Sequence, residues 1–165
     1  KDPATAALRE SVSIGAFEHF GFELYGDFFA TAYDSLPADG VMLLHTITAF
    51  DMRRAKELGI PMTFELARFA KFIMTEIFPG GRLPSVEKVE AHAQAAGFTV
   101  ARVQEIGPHY VRTLQGWAKE LEAHREEAIA VQSQEVYDRY DKYLNGCVRL
   151  FRDGQTSVHQ FTLTK

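Results

Sequence analysis

The chain has 165 residues, 46% hydrophobic and 24% charged, ordinary values for a globular domain with a sizeable core and far from those of a disordered chain. A net charge of −4 argues against nucleic acid as the main partner, and no run of about 18 apolar residues is present to form a transmembrane segment. The single cysteine, Cys147, excludes an internal disulfide and suits a reducing compartment. Lys1-Asp2-Pro3-Ala4-Thr5 lacks the apolar centre of a signal peptide, so a cytoplasmic chain is expected.

In chain order, Leu8 to Phe17 reads as a strand, with Val12, Ile14 and Ala16 alternating before a turn at Glu18-His19. Tyr25 to Leu36 has helical spacing, and Pro37-Ala38-Asp39-Gly40 turns the chain. Val41 to Ile47 is a near-continuous apolar run of strand length, the pattern of a strand buried on both faces. A short helix is expected from Asp51 to Leu58. Thr63 caps the next one, which is apolar nearly all round as far as Ile77 and stops at Phe78-Pro79-Gly80-Gly81. Ser85 caps a helix over Val86 to Ala96, closed by Gly97. Phe98 to Ile106 alternates like a strand. Two long helices follow, Tyr110 to Ala123 and Ser133 to Phe151, and a last strand runs from Thr156 to Leu163.

This order predicts one α/β domain over residues 1–165, with a largely parallel sheet, helices on both faces and a helix-rich insertion before the last strand. That strand is free to return antiparallel. Four strands make a thin sheet for such a fold, and only twelve residues precede Ser13. The expectation is therefore a C-terminal portion whose glycine-rich cofactor turn and first strands lie upstream.

Chemistry is expected where ligands bind in such folds, just beyond the carboxyl ends of the strands. Glu18 and His19 follow one strand end, and His45 belongs to the next strand, so Glu18 and His45 converge on one crevice if those strands are neighbours. Taken singly, His45 fits a satisfied core residue, Tyr110 a packing residue at a helix start, and Cys147 a small buried hydrophobe. No close ligand spacing such as His-x-x-x-His or Cys-x-x-Cys argues for a metal, and no Gly-x-Ser-x-Gly elbow argues for a hydrolase. Arg53, Arg54 and Lys56, with Arg68 and Lys71, read as a solvated face or as a docking patch for an acidic partner.

The stretches Ser13-Ile14-Gly15-Ala16-Phe17-Glu18-His19-Phe20-Gly21, Leu36-Pro37-Ala38-Asp39-Gly40 and Leu43-Leu44-His45-Thr46-Ile47-Thr48 carry a family pattern. It continues through Glu76-Ile77-Phe78-Pro79-Gly80-Gly81-Arg82-Leu83-Pro84, Pro108-His109-Tyr110 and Gly146-Cys147. Together they resemble the mycolic acid cyclopropane synthases, S-adenosylmethionine-dependent methyltransferases with a Rossmann-like sheet. The resemblance implies methyl transfer to a cis double bond of a long unsaturated acyl chain, with ring closure as a bound bicarbonate takes the proton. It implies a bicarbonate cradle of Glu18, His45, Tyr110 and Cys147 with the backbone at Ile14 and His19. Ile14 and Gly15 would border the cofactor, and Phe20 and Phe78 the hydrocarbon. Gly15 and His45 match the cyclopropane branch rather than relatives that make oxygenated products. The cluster at Arg53 and Arg54, rather than the resemblance, suggests an acidic acyl carrier protein as the partner that brings the acyl chain. The alternative is a truncated, non-catalytic remnant that binds acyl chains or a partner. On either reading, the isolated chain is expected to bind S-adenosylmethionine poorly.

Overall fold

The computed structural model describes residues 9–50, 52–57, 59 and 63–165. Four strands, β1 (Glu10–Ile14), β2 (Val41–Ala49), β3 (Thr99–Glu105) and β4 (Thr156–Thr164), form one sheet in the order β1-β2-β4-β3. β1 and β2 run parallel, and β4 is antiparallel to both of its neighbours. β1, β2 and β3 thus share one direction, with β4 inserted against them, as a largely parallel sheet with a returning last strand requires.

The helices are α1 (Tyr25–Ser35), α2 (Met52–Glu57), α3 (Phe64–Phe72), α4 (Val86–Ala95), α5 (Gly107–Ala123), α6 (Arg125–Val131) and α7 (Gln134–Arg152). Three begin on a hydroxyl that satisfies an otherwise orphaned backbone donor. Thr63 accepts from the Leu66 N–H, Ser85 from that of Lys88, and Ser133 from that of Val136.

Two cores flank the sheet. On one face α1 and α4 supply Tyr25, Phe29, Val89 and Ala93, which pack on Met42 and Leu44 of β2 and on Phe161 and Leu163 of β4. The second core joins Leu114 of α5 to Leu144, Cys147 and Val148 of α7, with Phe69 of α3 and Ile73 against them. α5 and α7 both lie against β4. Gly107, the first residue of α5, makes that approach possible, because a Cβ there would stand 2.0 Å from the Ser157 Oγ.

Several expectations need correction. The first strand ends at Ile14, not Phe17, because Gly15 takes φ +65° and turns the chain out of the ladder. Residues Phe17–His19 then form a single 3₁₀ turn that drives Phe17 into the first core, stacked on Tyr25 at 3.9 Å. β2 is fully buried on one face only; Leu43, His45 and Ile47 on the other are half-buried. The helix after Thr63 is α-helical only to Phe72, after which Ile73–Ile77 widen into a π turn, and Phe64 points outward at 80% exposure. α5 starts three residues early, since Pro108 in its first turn has no N–H to leave unpaired. The segment between the two long helices contains α6, with Glu126 and Glu127 favourably placed in its first turn. The start of the first strand at Leu8, and Asp51 and Leu58 at the ends of the short helix, lie outside the described residues.

Candidate functional site

β1 and β2 are neighbours, so their carboxyl-side residues meet. Ile14 is paired with His45, and the Gly15 N–H donates to the His45 carbonyl at 3.0 Å. Beyond the turn, the chain folds Glu18 back over β2, where its Oε1 accepts the Ile47 N–H. Glu18 is only 5% exposed, and its second oxygen, Oε2, is buried without a hydrogen-bond partner among the described residues. A buried carboxylate oxygen left unpaired carries its full desolvation cost, so this atom calls for a donor from a bound group.

His45 lies on the half-buried face of β2, toward α5. Its Nε2 stands 3.4 Å from the Tyr110 hydroxyl, and its Nδ1 stands 3.3 Å from the Gln160 side-chain nitrogen on β4. The Tyr110 ring is held in turn by Phe151 of α7, stacked at 5.7 Å with 19° between the planes. These long hydrogen bonds suit a site whose geometry tightens around a ligand.

Cys147 stands apart from these contacts. It is buried in the second core, and its hydrogen-bond partner is Tyr143. Burial pushes the thiol up to about 11, only partly offset by the Tyr143 hydrogen bond, so it is a neutral S–H at physiological pH. Tyr143 is itself pushed up, first by burial and then by the adjacent sulfur. Phe151 connects the two groups, packing against the Cys147 core while stacking on Tyr110.

The two aromatic candidates part company. Phe20 packs on Phe17 and Phe28 at the rim of the first core. Phe78 is 39% exposed and lies edge-on to both His19 (5.5 Å) and Tyr143 (5.8 Å). Tyr140 meets Tyr143 and lines a 660 Å³ groove with Leu121, Val131 and Tyr137 between α5, α6 and α7. Of the His19 groups, the ring faces Phe78, while the backbone N–H closes the 3₁₀ turn onto Ala16 at 3.1 Å. Ile14 is 66% exposed, and a Cβ built on Gly15 would meet none of the described atoms within 4 Å.

Sequence reasoning missed Gln160 and Tyr143. Gln160 leaves no trace in a strand that also carries Thr156, Ser157, Thr162 and Thr164; Tyr143 is marked by its place one helical turn before Cys147. Lys56, Arg68 and Lys71 are exposed, whereas the side chains of Arg53 and Arg54 lie outside the described residues. Among the described residues no group of three metal-ligating side chains converges, and no helix is long and apolar enough to cross a membrane.

This mixed sheet, with helices on both faces, has the Rossmann-like fold of S-adenosylmethionine-dependent methyltransferases. Residues 6–161 match the model of the mycolic acid cyclopropane synthetase family, and the chain belongs to that family. It is 59% identical over 154 residues to cyclopropane mycolic acid synthase 1 of Mycobacterium tuberculosis, covering 93% of this chain and 54% of that protein. It is 56% identical to methoxy mycolic acid synthase MmaA3 of the same organism, with 93% and 53% covered. The crystal structure of mycolic acid cyclopropane synthase CmaA1 complexed with SAH and CTAB superposes with a TM-score of 0.90 at 58% identity, covering 94% of this chain and 55% of that one. The chain spans about half the length of the curated relatives it matches.

Proposed function

We propose that the protein is a methyltransferase that converts a cis double bond of a long unsaturated mycolic acyl chain into a cyclopropane ring. When bound, S-adenosylmethionine supplies the electrophilic methyl group, and bicarbonate supplies the base for the proton that this methyl loses as the ring closes. The observation that carries the reading is the buried Oε2 of Glu18, without a hydrogen-bond partner among the described residues, on a side chain that meets β2 two residues beyond His45. Bicarbonate, unlike most small anions, carries a hydroxyl that can satisfy a carboxylate.

On this reading Glu18 orients the base by accepting its O–H, and Tyr110, backed by His45, holds a negative oxygen by donation. Cys147 offers a neutral S–H from the second core, and the backbone at Ile14 and His19 borders the same space. Ile14 and Gly15 flank the cofactor. Phe78 lines the hydrocarbon path, with Phe20 behind it, and the π faces of such rings favour a developing cation. The work is cytoplasmic, and the acyl chain is delivered on an acyl carrier protein docked at Lys56, Arg68, Lys71 and their basic neighbours.

Glu18→Gln in the full-length protein is the test, since the amide keeps an acceptor for Ile47 while altering what Oε2 offers. Formation of the cyclopropane from an unsaturated acyl substrate and labelled S-adenosylmethionine is expected to fall by roughly 10²- to 10³-fold. Undiminished turnover in the variant, or no methyl transfer by the parent protein, overturns the proposal.

A further inference from the structure

We infer that Gln160 is a positioning residue that fixes the tautomer of His45 and so leaves the Tyr110 hydroxyl free to donate to the bound anion. The inference rests on the anion site proposed above. It starts from register: β4 runs antiparallel to β2 and sets Gln160 directly opposite His45, both on the face turned toward α5. The Gln160 side-chain nitrogen, at 3.3 Å, can only donate, so the His45 Nδ1 it meets must be the lone-pair nitrogen. The ring proton then belongs to Nε2, 3.4 Å from the Tyr110 oxygen. With that oxygen accepting from His45, the tyrosyl O–H is not spent on the imidazole. The stacked Phe151 ring keeps the phenol in place. In the opposite tautomer Tyr110 would have to donate to Nε2 and would present lone pairs, the wrong polarity for an anion.

The test uses the full chain labelled with ¹⁵N-histidine, and His45→Asn assigns the His45 signals. In the parent protein, long-range ¹H–¹⁵N spectra are expected to show His45 protonated at Nε2 and unprotonated at Nδ1. Gln160→Met removes the donor and is expected to give an averaged pair of tautomers. Gln160→Glu can only accept and is expected to place a proton on Nδ1. The chain has six histidines, and unchanged signals from the other five certify the fold of each variant. A proton on Nδ1 in the parent, or no change in either variant, overturns the inference.

Titration with ¹³C-bicarbonate supplies the second arm, where Gln160→Glu is expected to weaken binding about tenfold, the worth of one hydrogen bond to a charged group. Equal affinities overturn the link from Gln160 to Tyr110. No bicarbonate binding by the parent, with the Nε2–H signature present, overturns the anion reading and the purpose assigned to Tyr110, while the hold of Gln160 on His45 stands.

Discussion

The two faces of the sheet are built to different standards. The α1–α4 face is dense and aromatic: Phe17, Tyr25, Phe29, Leu44, Val89 and Phe161 are wholly inaccessible, and Phe17 touches four other rings. The α5–α7 face has a smaller core, whose buried members keep 4–8% of their surface exposed among half-buried neighbours. His45, Tyr110, Gln160, Tyr143 and Cys147 all belong to the second face. The rigid face holds the sheet, and the looser face carries the His45, Tyr110 and Gln160 contacts.

The largest test of this contrast is a matched pair of truncations. Phe29→Ala is expected to lower the unfolding free energy by about 3–5 kcal/mol, whereas Leu114→Ala should cost about 2 kcal/mol, the low end for its type. The half-buried side chains around Leu114 can relax into the void. Equal losses in urea titrations would break the distinction.

A smaller effect sharpens it at Cys147. Because burial raises this thiol to about 11, its thiolate fraction should climb roughly tenfold per pH unit from pH 7 to 10. Alkylation by iodoacetamide should follow that slope rather than level off near pH 8.5. Tyr143→Phe removes the hydrogen bond that favours the thiolate, and should shift the break higher still. A break near pH 8.5 in the parent protein would show that the second core is open to water.

The smallest effect belongs to His159, which shares its Nδ1 with the Thr48 hydroxyl at 2.8 Å. Burial lowers its pKa, against the pull of Glu105 and Glu87. The folded state therefore resists a proton that the unfolded chain accepts below about pH 6.5, and stability falls as pH drops through that range. His159→Gln should flatten the fall in urea midpoint between pH 7.5 and 5.5. An unchanged slope would place the acid sensitivity elsewhere.

Much of this was legible in the sequence, for identifiable reasons. Caps at Thr63 and Ser85 are local chemistry, and each sits where its residue type predicts, while Ser133, read as the first residue of its helix, is that helix's cap. The meeting of Glu18 with β2 needed only that consecutive parallel strands be neighbours. Tyr110 and Cys147 were plain packing residues by local pattern, and resemblance alone singled them out. Gln160 stayed hidden because its partner is 115 residues away and their pairing depends on antiparallel register, which no local pattern carries. The π turn after Phe72 was hidden as well, since its residues keep a helical apolar pattern while the backbone widens.

The position of β4 has a consequence in time. β4, which lies between β2 and β3, is synthesised more than a hundred residues after β2, its partner along nine paired positions. Until it emerges, β2 and β3 each face an empty slot, and the imidazole of His45 has neither its amide nor a settled protonation. Closing so long a loop makes this step slow compared with forming the helices. For that interval two strand edges lie open to any extended segment nearby, so a nascent chain is most exposed to mispairing, and to chaperones, just before its last strand arrives.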